Sequence, residues 1–161
     1  MWTGKDCGMK IKINKKAINF KLPSTSSKIF KLSDIKNGIV VYFYPRDDTP
    51  GCTIETKDFS KLYSKFKALK YEVIGISKDN MDSHLKFKKK FKIPFQLLSD
   101  EKVQVQKKYG VWGQKSFMGK KFLGTIRSTI LIDKGKIIKV WSNVRVKDHA
   151  NEVLNFIKSL K

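Results

Sequence analysis

The sequence predicts an α/β fold, a central sheet with helices on both faces. Three observations carry this. Short apolar runs rich in β-branched and aromatic residues alternate with stretches of helical period. Near the end, two strand-like runs meet at Lys134-Gly135, a hairpin signal, and a last helical stretch follows. The length of 161 residues and hydrophobic content of 40% suit a single core.

The elements follow in order. Residues 1–16 read as an N-terminal extension or edge strand, and residues 17–161 as the domain. The first strand is expected over 17–22. A second, buried strand is expected over 39–44, where Ile39, Val40, Val41, Tyr42 and Phe43 are consecutive. Phe59, Leu62, Tyr63, Phe66 and Leu69 then fall at helical spacing, with Lys61, Lys65 and Lys67 opposite. A strand over 71–77 and a helix over 79–91 come next. A short strand over 95–98 and a short helix over 100–109 follow. The hairpin spans 125–133 and 136–141, and a helix over 148–160 closes the chain. The sequence shows no repeats, no low-complexity linker and no apolar stretch long enough to cross a membrane.

The junction between the second strand and the first helix is where chemistry is expected. Thr49 is placed as N-cap and Pro50 as first helical residue, so Cys52 lies in the first turn. Backbone N–H groups left unpaired there favour a thiolate, the nucleophilic form of cysteine. The competing reading of a lone cysteine, a small buried hydrophobe, fits this position less well. Arg127 is the candidate charged partner. The chain has 32 lysines but only three arginines (Arg46, Arg127 and Arg145), and one of them sits on an expected strand. A guanidinium offers several fixed donors where an ammonium is a point charge. Its alternative role is a stem covering a sheet edge. Pro45 stiffens the loop or simply ends the strand. The Thr49 hydroxyl can cap the helix, and Glu55 reads as a charge favoured by the helix N-terminus.

The stretch Tyr42-Phe43-Tyr44-Pro45-Arg46-Asp47-Asp48-Thr49-Pro50-Gly51-Cys52-Thr53 resembles the active-site loop of the peroxiredoxins, in particular the peroxiredoxin Q, or bacterioferritin comigratory protein, branch. The likeness continues through Ser83-His84-Leu85-Lys86-Phe87, Pro94 to Asp100, Tyr109 to Gly113, Met118-Gly119-Lys120 and Arg127 to Asp133. The resemblance implies a thioredoxin-like fold with a central mixed sheet. It also implies a thiol-dependent peroxidase that acts in antioxidant defence without a cofactor. In that reading the Cys52 thiolate attacks one peroxide oxygen and becomes sulfenic acid. Arg127 is then the catalytic arginine, Thr49 bonds the peroxide oxygen, and Pro45 shields the sulfur from water. Many members carry a resolving cysteine five residues after the reactive one, where this chain has Lys57. The chain therefore looks like a one-cysteine variant recycled by an external thiol such as thioredoxin, glutaredoxin or glutathione. Cys7 as resolver is the alternative. Family members occur as monomers and dimers, and a monomer or weak dimer is expected here.

Other classes are weighed against this. The two histidines and two separated cysteines show no metal-ligand spacing, so no metal is expected. His84 reads as a packed histidine at the core edge, and His149 shows no partner. There is no G-x-G-x-x-G, Walker loop or C-x-x-C. The formal charge of +21 attracts polyanions, and Lys86 to Lys92 is similar to a short nuclear-import tract. Non-specific nucleic-acid association, and a redox relay from Cys52 to a partner protein, are thus kept as alternatives. The lysines lie along the whole chain, which also fits composition bias. Residues 1–8 lack the apolar run of a secretory signal, so an intracellular location is expected, cytoplasmic or else nuclear.

Overall fold

The computed structural model describes residues 12–160. Its frame is a five-stranded mixed sheet in the order β5-β4-β3-β8-β9. These strands are β3 (Gly38–Phe43), β4 (Tyr71–Ser77), β5 (Gln96–Ser99), β8 (Ser128–Asp133) and β9 (Lys136–Trp141). β3 pairs parallel to β4, and β4 parallel to β5. β8 runs antiparallel to both β3 and β9. Every residue of β3 is buried, which is why this central strand reads as an unbroken apolar run. Its pleat sends Ile39, Val41 and Phe43 into one core and Val40 and Tyr42 into the other. The second core is covered by α1 (Pro50–Ala68), α2 (Met81–Phe91) and α4 (His149–Ser159) through Phe59, Phe66, Phe87, Val153 and Leu154. The first is closed by α3 (Gln104–Tyr109) with Phe20 and Phe30.

Several expected boundaries move. The strand expected over 17–22 forms only at β1 (Lys21–Pro23), which pairs with β2 (Ile29–Lys31) in a separate ribbon. Residues 14–17 instead run beside the start of β9, where Asn14 N–H donates to Ile137 O and Ala17 N–H to Gly135 O. α2 starts at Met81 because Asn80 takes the N-cap, its Oδ1 accepting from Ser83 N–H at 2.9 Å. The helix expected from residue 100 begins at Gln104. Asp100 stays outside and its carboxylate accepts from Val105 and Gln106 N–H. A hairpin absent from the expectations, β6 (Trp112–Phe117) with β7 (Lys120–Thr125), fills the stretch before β8. It turns at Met118 (φ 51°) and Gly119 (φ 80°), both left-handed, as a two-residue hairpin turn requires. The strand expected from residue 125 therefore starts at Ser128. The hairpin at Lys134-Gly135 forms as expected, with φ of 52° and 80°. Cys7 lies outside the described residues.

Candidate active site

Strand β3 delivers the chain to one end of the sheet at Phe43, and α1 begins at Pro50, seven residues on. Cys52 follows Pro50 and Gly51 in its first turn and is 1% exposed. Thr49 occupies the N-cap with extended backbone (φ −102°, ψ 157°), and its carbonyl accepts from Thr53 N–H at 2.8 Å. Its side chain does not cap the helix, contrary to expectation. The hydroxyl donates to Arg46 O at 2.9 Å, tightening the loop on itself. Pro45 is half-buried at the start of that loop.

Arg127, in the connection from β7 to β8, reaches the sulfur. Its Nη2 donates to Cys52 Sγ at 3.3 Å, and its Nη1 to Glu55 Oε1 at 2.7 Å. Gly51 makes room for the guanidinium, since a Cβ there would lie 3.3 Å from Nη2. Burial opposes the charge on Arg127, but Glu55 and Cys52 outweigh it and hold the guanidinium more firmly protonated. Glu55 is 1% exposed, and its Oε2 has no hydrogen-bond partner among the described residues. Burial pushes its carboxyl up to about 7, with Arg127 pulling the other way. Glu55 was read from sequence as a helix-end charge. The structure shows instead a buried counter-ion that orients the arginine.

The loop from 44 to 49 is fixed from its far side. Tyr44 OH donates to Asp47 Oδ1 at 2.6 Å, and His84 Nδ1 lies 2.8 Å from Asp47 Oδ2. His84 is fully buried, with its Nε2 2.9 Å from Leu98 O, as a packed histidine should be. His149, expected without a partner, is also buried. Its Nε2 lies 2.8 Å from Thr129 Oγ1 and its Nδ1 3.3 Å from Glu152 Oε1. Asp47, Asp79 and His84 come within 4.8 Å of one another, a grouping that residue spacing did not reveal. Beside Arg127 opens a cleft of about 440 Å³ whose lining includes Gln114, Lys115 and Ser116 of β6 and Asn143. Burial, and then the Arg127 charge, push the Lys115 ammonium down. Lys57 is exposed on α1, with its Nζ 5.8 Å from the centre of the Phe91 ring.

This arrangement presents one buried sulfur to a helix N-terminus and a fixed guanidinium. Residues 13–140 match the AhpC/TSA family. Peroxiredoxin Bcp of Bacillus subtilis is 44% identical over 154 residues, covering 94% of this chain and 98% of its own. Peroxiredoxin Bcp of Escherichia coli is 39% identical over 144 residues, covering 88% and 92%. Among solved structures, a serine variant of Xylella fastidiosa PrxQ superposes with a TM-score of 0.88 at 33% identity, covering 93% of this chain and 97% of that one. A Xanthomonas campestris bacterioferritin comigratory protein, solved in trapped intermediate/ligand complexes bearing on its alkyl peroxide reduction, superposes with a TM-score of 0.83 at 33% identity, covering 88% and 91%. With its thioredoxin-like sheet and this site, the chain belongs to the AhpC/TSA family and, within it, to the peroxiredoxin Q/Bcp branch of the peroxiredoxins, enzymes that reduce peroxides with thiols.

Proposed function

We propose that Cys52 is the peroxidatic residue of a one-cysteine peroxidase acting on hydrogen peroxide and organic hydroperoxides. The observation that carries this is the Arg127 Nη2–Cys52 Sγ contact of 3.3 Å in the first turn of α1. The Cys52 thiolate supplies two electrons to the nearer peroxide oxygen. The O–O bond breaks, and the second oxygen leaves as alkoxide or hydroxide and takes a proton from solvent. Cys52 is left as sulfenic acid. Arg127 holds the anionic sulfur, and its second Nη2–H, without a partner among the described residues, can donate to a peroxide oxygen, where charge grows in the transition state. Thr49 gives its proton to Arg46 O, so its lone pairs are the part that can accept the peroxide O–H. Pro45 offers no N–H to water at the mouth of the site.

Recycling needs two external thiol equivalents. The first displaces the sulfenic oxygen as water and forms a mixed disulfide with Cys52; the second attacks the external sulfur of that bond, so that Cys52 leaves as thiolate and the two external thiols are joined in a disulfide. Lys57, exposed at the position where many relatives carry a resolver, supports this route. Thioredoxin, glutaredoxin and glutathione are the reductants to compare, in parallel steady-state assays of peroxide consumption. Turnover with at least one is expected. Cys52→Ser should abolish it, and Arg127→Lys should lower it by roughly 100-fold or more. Retained turnover in Cys52→Ser would refute the assignment. Mass spectrometry of the oxidised protein should show sulfenic or sulfinic acid at Cys52, and a Cys7–Cys52 disulfide would overturn the external route.

A second reading, association with polyanions, is favoured by the charge. Only Lys67 and Lys90 among the described lysines pair with carboxylates. Nucleic-acid binding of this kind weakens steeply with added salt. Unchanged DNA mobility at low salt would dispose of it.

A further inference from the structure

Cys52 is 1% exposed, yet its oxidised form has to meet an external thiol. The first turn of α1 and the loop before it must therefore open between the two halves of the cycle. What holds that loop shut is Asp47. Its side chain is 3% exposed, and both oxygens are taken. Oδ1 accepts from Tyr44 OH at 2.6 Å, while Oδ2 accepts from Ser83 Oγ at 2.8 Å and lies 2.8 Å from His84 Nδ1. The Asp47 backbone N–H donates to Asp79 Oδ2 at 2.7 Å, and Ser77 Oγ donates to the same oxygen at 2.6 Å. His84 is 0% exposed, and its far nitrogen faces Leu98 O on β5 at 2.9 Å. The chain of contacts thus runs from the Cys52 loop, through the first turn of α2, into the rigid sheet.

The hydrogen-bond arithmetic of this chain is specific. A backbone carbonyl only accepts, so His84 Nε2 must carry hydrogen. Nδ1 then faces a carboxylate oxygen, and one further proton must lie between them, on either atom. Without it two lone pairs would oppose each other in a site sealed from water. In the grouping of Asp47, Asp79 and His84, Asp47 Oδ2 accepts from Ser83 Oγ, and Asp79 Oδ2 accepts from Asp47 N–H and Ser77 Oγ, so the grouping reads as a hydrogen-bonded clasp.

We propose that Asp47 and His84 are positioning residues, a buried latch that keeps the Cys52 loop closed on α2 for attack on peroxide and releases it for reduction by thiol. This rests on the peroxidase reading above. Breaking the latch should move the two half-reactions in opposite directions, which a general loss of folding would not do.

The test uses the full chain with Asp47→Ala and Asp47→Asn. Asparagine keeps every link: Oδ1 still accepts from Tyr44, and its two amide hydrogens serve His84 Nδ1 and Ser83 Oγ. For Asp47→Ala, oxidation of Cys52 by hydrogen peroxide should slow by about tenfold or more, and reduction of the preformed sulfenic acid by dithiothreitol should quicken by about fivefold. Asp47→Asn should stay within about threefold of wild type in both. Amide hydrogen exchange over residues 46–53 should quicken by about tenfold in Asp47→Ala alone, a readout that holds whether or not the chain turns over peroxide. If Asp47→Ala does not fold, Ser83→Ala, which removes one donor to Oδ2, should show the same opposed shifts at about threefold. Parallel changes in the two rates, no change in either, or Asp47→Asn behaving like Asp47→Ala would overturn the latch.

Discussion

Glu55 shows how a single buried residue sets the terms for its neighbours. It enters the core because α1 must present Phe59 and Phe66 to the sheet, and a residue one turn earlier shares that face. Among the described residues it pairs with one cation, Arg127, 72 positions away in sequence. Burial raises its carboxyl from 4.5 to about 7, so the folded state holds this proton more tightly than the unfolded chain does. That contribution to stability is full below pH 4.5 and is lost as pH rises through about 7, an effect of roughly 3 kcal/mol across the window. Glu55→Gln copies the protonated shape without the titration. Denaturant unfolding near pH 5 and near pH 8 should therefore show wild type losing stability relative to Glu55→Gln as pH rises. An equal difference at both pH values would contradict this. Cys52 could be read from the sequence because its environment is local, a helix start built from Thr49-Pro50. Arg127 stood out because arginine is so scarce here. Glu55 could not be read, because its partner is fixed only by the packing of α1 against the β7–β8 connection. The same holds for Asp47 and His84, whose contact needs α2 laid over the loop.

Among the elements, β4 packs against the two tyrosines that support the site. A Cβ on Gly75 would lie 2.8 Å from Tyr42 Cζ and 3.0 Å from Tyr44 Cε1. Those rings are the supports of the site. Tyr42 OH is 2.9 Å from Thr56 Oγ1 on α1, and Tyr44 OH holds Asp47. Gly75→Ala should thus cost about 1–3 kcal/mol of stability through overpacking. It should also slow peroxide consumption, because both rings must shift. A melting temperature equal to wild type would show that the rings yield freely. The main strands were legible because each buries at least one face. β3 reads as a continuous apolar run, and β8, buried from Ser128 to Ile132, carries Ile130, Leu131 and Ile132 in succession. The β6–β7 hairpin was not legible for the opposite reason. Five of the six β7 residues are exposed or half-exposed, so no alternation is imposed on the sequence. Its turn uses Met118 at φ 51°, where asparagine or aspartate would have signalled it. The strand expected over 17–22 failed in a related way. Phe20 and Leu22 are buried, but they pack under the sheet and do not extend it.

At the scale of the whole molecule, charge dominates. The chain carries 35 lysines and arginines against 14 carboxylates, a formal +21. Among the described residues, the lysine and arginine ion pairs are Lys67–Glu72, Lys90–Asp48 and Arg127–Glu55. The first two lie at the surface, where such pairs contribute little. α2 concentrates the problem, with Lys86, Lys89 and Lys90 spaced so that like charges meet on adjacent turns. Part of this is offset, since Lys88, Lys89 and Lys90 sit in the last turn, where the helix dipole favours cations. Lys88 also donates to Ile93 O at 2.6 Å and Phe95 O at 2.7 Å, closing the helix end. The remaining repulsion is long-range and acts on the compact state more than on the expanded chain. Sodium chloride raised from about 10 mM to about 150 mM shortens the screening length to about 8 Å. The melting temperature should therefore rise by several degrees over that range, and most of the rise should come before the upper end. A protein held by surface ion pairs would respond in the opposite direction. A melting temperature that stays flat or falls with salt would mean that the lysines are neutralised by contacts beyond those described, and that the excess charge does not strain the fold.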